Sequence, residues 1–167
     1  MNLKPALAAL ALTSSAVVLA EGSGWSLASV DKTGYAEIVL ALVSGDGILD
    51  ENGRETVHPT LELYCGSGDP DGIGVRVDWR RFISSFSTEV GFKVGEGKRQ
   101  WLKFGVDASN RVTLAKADSD TPRLLDLLGS GESLSVEVSP YSEAPVTVGF
   151  DLAGYQAALA ELRAACR

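Results

Sequence analysis

The side chains best suited to nucleophilic or metal chemistry in this chain of 167 residues are Cys65, Cys166 and His58. Neither thiol has a neighbouring cysteine or histidine at ligand spacing, so a pairing of the two with each other is the chemistry they suggest. His58 precedes Pro59, which favours extended backbone, and no serine or cysteine beside it completes a nucleophile–base pair. Serine nucleophile elbows, phosphate-cradling glycine loops with a lysine, and paired-histidine zinc motifs do not occur. Two acidic loops invite a calcium test, one with Asp46, Asp50 and Asn52 and the other with Asp69 and Asp71. Neither has the alternating ligand register with a late glutamate that a calcium loop needs, and their glycines read as turn formers. The expectation is therefore no metal, no cofactor and no catalytic residue, with a carboxylate-dependent enzyme acting on glycan or peptide as the competing class.

Charge is unevenly spread along the chain. From residue 21 onward there are 14 basic and 22 acidic residues, yet Ile73 to Lys116 carries nine basic and four acidic. Within that stretch Arg76, Arg80, Arg81, Lys98, Arg99 and Trp101 are the candidate partner-binding residues. Two readings stay open: a positive surface for an anionic partner, or basic strands lying beside acidic ones that neutralise them. Trp79 and Trp101 both adjoin basic residues, so each is either a stacking surface for sugar or peptide or a core residue. The acidic whole argues against nucleic acid.

The elements that must position these residues are mostly strands. Short apolar runs recur between turn residues at 25–30, 35–43, 60–65, 73–79, 89–94, 100–106, 111–116, 133–138 and 146–150, the pattern of an antiparallel sheet protein. Val75, Val77 and Trp79 alternate with Arg76, Asp78 and Arg80, as in a strand buried on one side. A short helix is expected after Thr121 as cap and Pro122 at the first position, with Leu124, Leu125 and Leu128 buried and Gly129 ending it. Leu152, Tyr155, Leu159, Leu162 and Cys166 fall on one stripe of a terminal helix predicted over 152–165, begun by Asp151 and weakened by Gly154 in its first turn. Because the stripe faces the core, Cys166 points inward. Cys65 ends an apolar strand, so a Cys65–Cys166 disulfide is predicted to pin that helix to the sheet. The expected fold is mainly β, an antiparallel β-sandwich or open barrel with a disulfide-anchored C-terminal α-helix.

Lys4 and the uncharged run from Pro5 to Ala20 have the pattern of a secretory signal peptide over residues 1–20, leaving one β-rich domain over 21–167. The run is too short and too alanine-rich for a membrane span, so no transmembrane segment is expected after cleavage. An exported domain with two cysteines fits a periplasmic or secreted destination.

The terminal run from Phe150 to Tyr155, followed by Ala157, Leu159, Leu162 and Cys166, resembles the end of type VI secretion accessory proteins of the TagO/VasI type. Trp25 with Ser26 and Ser29, the strand Tyr35 to Val43, the run Pro59 to Cys65, and Trp101 extend the likeness over most of the chain. The same terminal helix motif is similar to that of invasion-associated locus B proteins. The first resemblance implies an exported, non-catalytic envelope protein whose partners are protein components of a secretion assembly, with peptidoglycan a further candidate. A periplasmic inhibitor presenting the loop Gly66 to Gly74 to a cell-wall hydrolase is the other binding role the sequence admits.

Overall fold

The computed structural model describes residues 24–167; the expected signal segment lies outside the described residues. Among the described residues, eleven strands and two helices follow one another. The strands are β1 (Trp25–Lys32), β2 (Tyr35–Val43), β3 (Ile48–Leu49), β4 (Thr56–Val57), β5 (Thr60–Gly66), β6 (Gly74–Asp78), β7 (Thr88–Val94), β8 (Gln100–Val106), β9 (Val112–Leu114), β10 (Ser133–Val138) and β11 (Val146–Asp151). Helix α1 (Thr121–Leu128) lies between β9 and β10, and α2 (Tyr155–Ala165) ends the fold.

Nine strands form one antiparallel sheet in the order β1-β2-β5-β6-β9-β8-β7-β10-β11, which is not closed into a barrel, while β3 and β4 make a separate hairpin. All nine predicted strands are present. The β3–β4 hairpin was not anticipated, because two-residue strands carry no readable alternation.

Register explains why this sequence makes this sheet. On the inner face Trp25, Leu42, Leu61 and Val77 stand opposite one another across β1, β2, β5 and β6, and Leu27, Leu40, Leu63 and Val75 form the next row. In the other half Val90, Val138 and Val146, then Phe92, Val136 and Val148, then Val94, Leu134 and Phe150 do the same across β7, β10 and β11. A one-residue slip in any strand would turn its apolar set to solvent, so the alternation fixes the register. Short β9 joins the halves, pairing with β6 over three residues and with β8 over two. Both apolar faces contribute to one core. Trp79 donates from Nε1 to Thr113 Oγ1 at 3.0 Å beneath that joint, and the rings of Phe92 and Phe104 meet at 5.5 Å. At the far edge the loop after β2 reaches β11: Ser44 Oγ donates to Gly149 O (2.8 Å), and Gly149 N donates to Asp46 Oδ2 (2.7 Å).

Helix α2 buries the stripe that its spacing predicts, with Leu152, Tyr155, Leu159, Leu162 and Cys166 all in the core. It packs on β1 and β2, where the Trp25 and Tyr155 rings lie 5.8 Å apart. The Tyr155 hydroxyl donates to Leu125 O at 2.9 Å, tying α2 to α1, and burial pushes its pKa up. The Cys65–Cys166 disulfide joins β5 to the residue after α2 across 101 positions, with Cα atoms 6.1 Å apart.

Both helix starts differ from expectation. Asp151 is still in β11, and its Oδ1 accepts from Ala153 N (3.0 Å) in a turn that precedes the helix. Gly154 is the cap, at φ +79°, and so does not weaken the helix from within. A left-handed residue is needed there to swing the chain from sheet to helix. In α1 the cap is Asp120, and Thr121 is buried inside the first turn with its hydroxyl toward Lys116 O. Gly129 ends the helix in right-handed geometry, at φ −78°.

Replacing both cysteines with alanine is expected to lower unfolding free energy by up to about 4.7 kcal/mol, the loop-closure value for roughly 100 residues. A reduced urea midpoint would show this, and an unmoved midpoint would contradict it. Gly154→Ala is expected to cost about 1 to 2 kcal/mol through its left-handed backbone, whereas a merely helical glycine would gain stability on the same change.

Candidate binding face

The outer face of the sheet carries most of the residues singled out by charge. At its centre Arg76 on β6 meets Glu62 on β5 through Nε and grips Glu37 on β2 with both terminal nitrogens, at 3.0 and 3.2 Å. The guanidinium lies 4.3 Å from the centroid of the Tyr64 ring, and Tyr64 in turn covers Gly74, where a Cβ would collide with its ring. Burial opposes the Arg76 charge, but the hydrogen bonds to Glu37 and Glu62 outweigh it and raise its pKa. Glu37 is only 6% exposed. These two carboxylates converge on a guanidinium and not on an open cleft, so their geometry serves cohesion of three strands.

Arg81 is similarly committed. Its side chain is 4% exposed and donates to Leu49 O (2.8 Å) and Glu143 Oε2 (2.6 Å), pinning the β3–β4 hairpin to the loop before β11. Arg99 donates to Ser135 Oγ (3.2 Å) and pairs with Glu137 at 3.4 Å. Arg80, at φ +60°, is exposed beside Asp78, and Lys98 is exposed in the turn before β8. Pairing through β9 sets Arg76 level with Gly105, six residues beyond Arg99, or roughly 20 Å along the strands. Arg80 and Arg81 lie further the same way. The six candidates therefore do not form one patch, and the acidic and basic strands largely neutralise each other.

The acidic loops are built around backbone amides. Asp50 Oδ1 accepts from Arg54 N (2.7 Å) and Glu55 N (3.2 Å) within the β3–β4 turn, and Asp69 Oδ1 accepts from Gly72 N (2.9 Å). The Arg54 amide, more than any other contact, holds the Asp50 carboxyl below its usual range. Glu51 is held low by its own amide and, more weakly, by Phe82 N and Arg111. A general acid needs the opposite displacement. His58 Nδ1 lies 3.0 Å from Ser44 O, a hydrogen-bond contact that steadies the β2–β3 loop.

The tryptophans divide cleanly. Trp25 and Trp79 are in the core, whereas Trp101 is 47% exposed on the outer face of β8. It stands opposite Gly91 on β7, where a Cβ would come within 3.0 Å of the indole and 2.8 Å of the Arg99 stem. Ser87, Thr88, Glu89 and Ser139 complete a groove of about 530 Å³ beside it. These residues come from β7, β8 and β10 and their flanking loops. Sequence reading singled out Trp101 but not its companions.

The fold matches the crystal structure of invasion-associated protein B from Bartonella henselae with a TM-score of 0.52 and 16% identity, over 84% of this chain and 91% of that one. The likeness is one of fold. It accords with the second resemblance, carried by the terminal helix, and not with the type VI secretion resemblance. No family model matches the sequence, and no curated protein is significantly similar to it.

Arg76→Met is expected to destabilise the protein by about 3 kcal/mol, since it removes both guanidinium hydrogen bonds from buried Glu37 and leaves it only Lys32 Nζ at 3.8 Å. Glu37→Gln combined with Arg76→Met should cost clearly less than the two single changes added together, as coupled neighbours do. Additive losses in denaturant titrations would show that the pair is not coupled.

Proposed function

We propose that this chain is a non-catalytic association protein of an oxidising, extracytoplasmic compartment. The observation that carries the reading is the buried Cys65–Cys166 bond, which joins the sheet to the terminal helix and which reducing cytosol does not favour. Three further features support it. The cysteines are spent on structure, the central carboxylates are bound to guanidinium groups, and no helix among the described residues is long and apolar enough to cross a membrane. The fold it shares is that of a protein named for invasion, which accords with a role at the cell envelope or beyond it.

Association requires a surface left free by the fold. Arg76, Arg81 and Arg99 are occupied by partners within the chain, so the contact face we propose is the outer face of β7, β8 and β10 around Trp101. Exposed aromatic residues flanked by polar groups are the usual anchors of such surfaces. A role in type VI secretion would be one special case, resting on the sequence resemblance alone.

Full-length protein made in its own host should fractionate outside the cytosol and capture an envelope component after mild crosslinking. Trp101→Ala should abolish that capture and leave the melting temperature unchanged. Cytosolic residence, or undiminished capture by the variant, would contradict the proposal.

A further inference from the structure

The groove beside Trp101 has a chemistry of its own. We propose that it is a carbohydrate subsite, in which the Trp101 indole stacks on a neutral pyranose ring of a glycan chain. This rests on the association reading above and names the class of ligand.

The platform is set before any ligand arrives. Gly91 leaves room for the indole and the Arg99 stem to lie down on the sheet, and any larger residue would push both away. The Arg99 guanidinium sits 5.9 Å from the indole centroid and is itself held by Glu137, Ser135 and Gly91 O. A broad aromatic face is thereby fixed in solvent, which reduces the ordering cost of stacking. A pyranose ring offers C–H groups on its face and hydroxyls at its edge. An indole suits the first, and hydroxyl and carboxylate side chains suit the second.

The rim supplies that second set. Ser87, Thr88 and Ser139 carry hydroxyls, and Glu89 makes no ion pair among the described residues. The volume is within the range of small-ligand sites. Aromatic surface continues at the end where β7 begins and β10 finishes: Phe86 is 69% and Tyr141 is 65% exposed. Tyr141 N donates to Ile83 O at 2.8 Å, joining the two loops that carry them. More than one ring of an oligosaccharide can then be met.

Other occupants fit less well. A peptide added as a strand needs a free sheet edge, yet β7 is paired on both sides, with β8 and β10. Its main-chain donors are spent, so recognition falls to side chains. An anionic polymer would face Glu89; of the cations on this face, Arg99 is already paired with Glu137, and Lys103 stands opposite Glu89 in the strand register.

The test is a titration of the intact, disulfide-bonded protein with a β-1,4-linked N-acetylglucosamine tetramer, a glucose tetramer of the same linkage, and an uncharged tetrapeptide. Because Trp25 and Trp79 are buried, a blue shift in tryptophan emission and protection from acrylamide quenching report on Trp101. The result expected is saturable change with at least one sugar and none with the peptide. Trp101→Ala should weaken sugar binding about tenfold or more, Trp101→Phe should retain part of it, and Glu89→Gln should reduce it with stacking intact. No saturable change with either sugar, binding of the peptide instead, or Trp101→Ala binding as well as the parent would overturn the proposal. Acrylamide protection in the unaltered protein decides the matter even if a variant fails to fold. Loss of protein capture in Trp101→Ala together with no sugar binding would sink the glycan and leave the association reading standing.

Discussion

One covalent bond carries the architecture. The antiparallel sheet of nine strands is not closed into a barrel, and something must cover its apolar face near β1 and β2. Helix α2 does so, and with only 11 residues it is too short to hold by itself. The Cys65–Cys166 bond keeps it in place, and the Tyr155 hydroxyl on Leu125 O and the Trp25 ring against Tyr155 orient it. Because the bond closes a loop that spans most of the described chain, it restricts the unfolded ensemble as well as the folded one.

Strand register explains how charge is used. Once the strands are in register, Glu37 on β2 and Glu62 on β5 lie beside Arg76 on β6, and a bidentate guanidinium–carboxylate contact forms where an isolated reading of either segment suggests a sticky surface. Such contacts are worth more than ordinary surface pairs because Glu37 is shielded from water. Arg81 acts likewise on loops, holding the β3–β4 hairpin and the segment before β11 at one end of the sheet. Net charge thus becomes cohesion, and the free face is left to an aromatic residue and hydroxyls.

Much of this was legible in the residues. Alternation located all nine strands of the main sheet, and the stripe ending in Cys166 located both the helix and its bond to Cys65, since each is a local pattern with a strict period. The start of α2 was misplaced because Asp151 and Gly154 look like a cap and a helix interior until their backbone angles are known. The β3–β4 hairpin was hidden because the amides that Asp50 accepts define it better than its two-residue strands do. The groove at Trp101 was only half visible. Glu89, Trp101 and Ser139 are neighbours through strand pairing alone, and a chain read in one dimension does not reveal which strand lies beside which.

The measurement that bears most directly on this account is mass spectrometry of non-reduced proteolytic fragments from protein isolated in its own host with thiols blocked at lysis. The account predicts a peptide containing Cys65 linked to one containing Cys166, with neither found in blocked form. Recovery of both residues as blocked free thiols would contradict it, leaving the helix unanchored and the extracytoplasmic reading without its support.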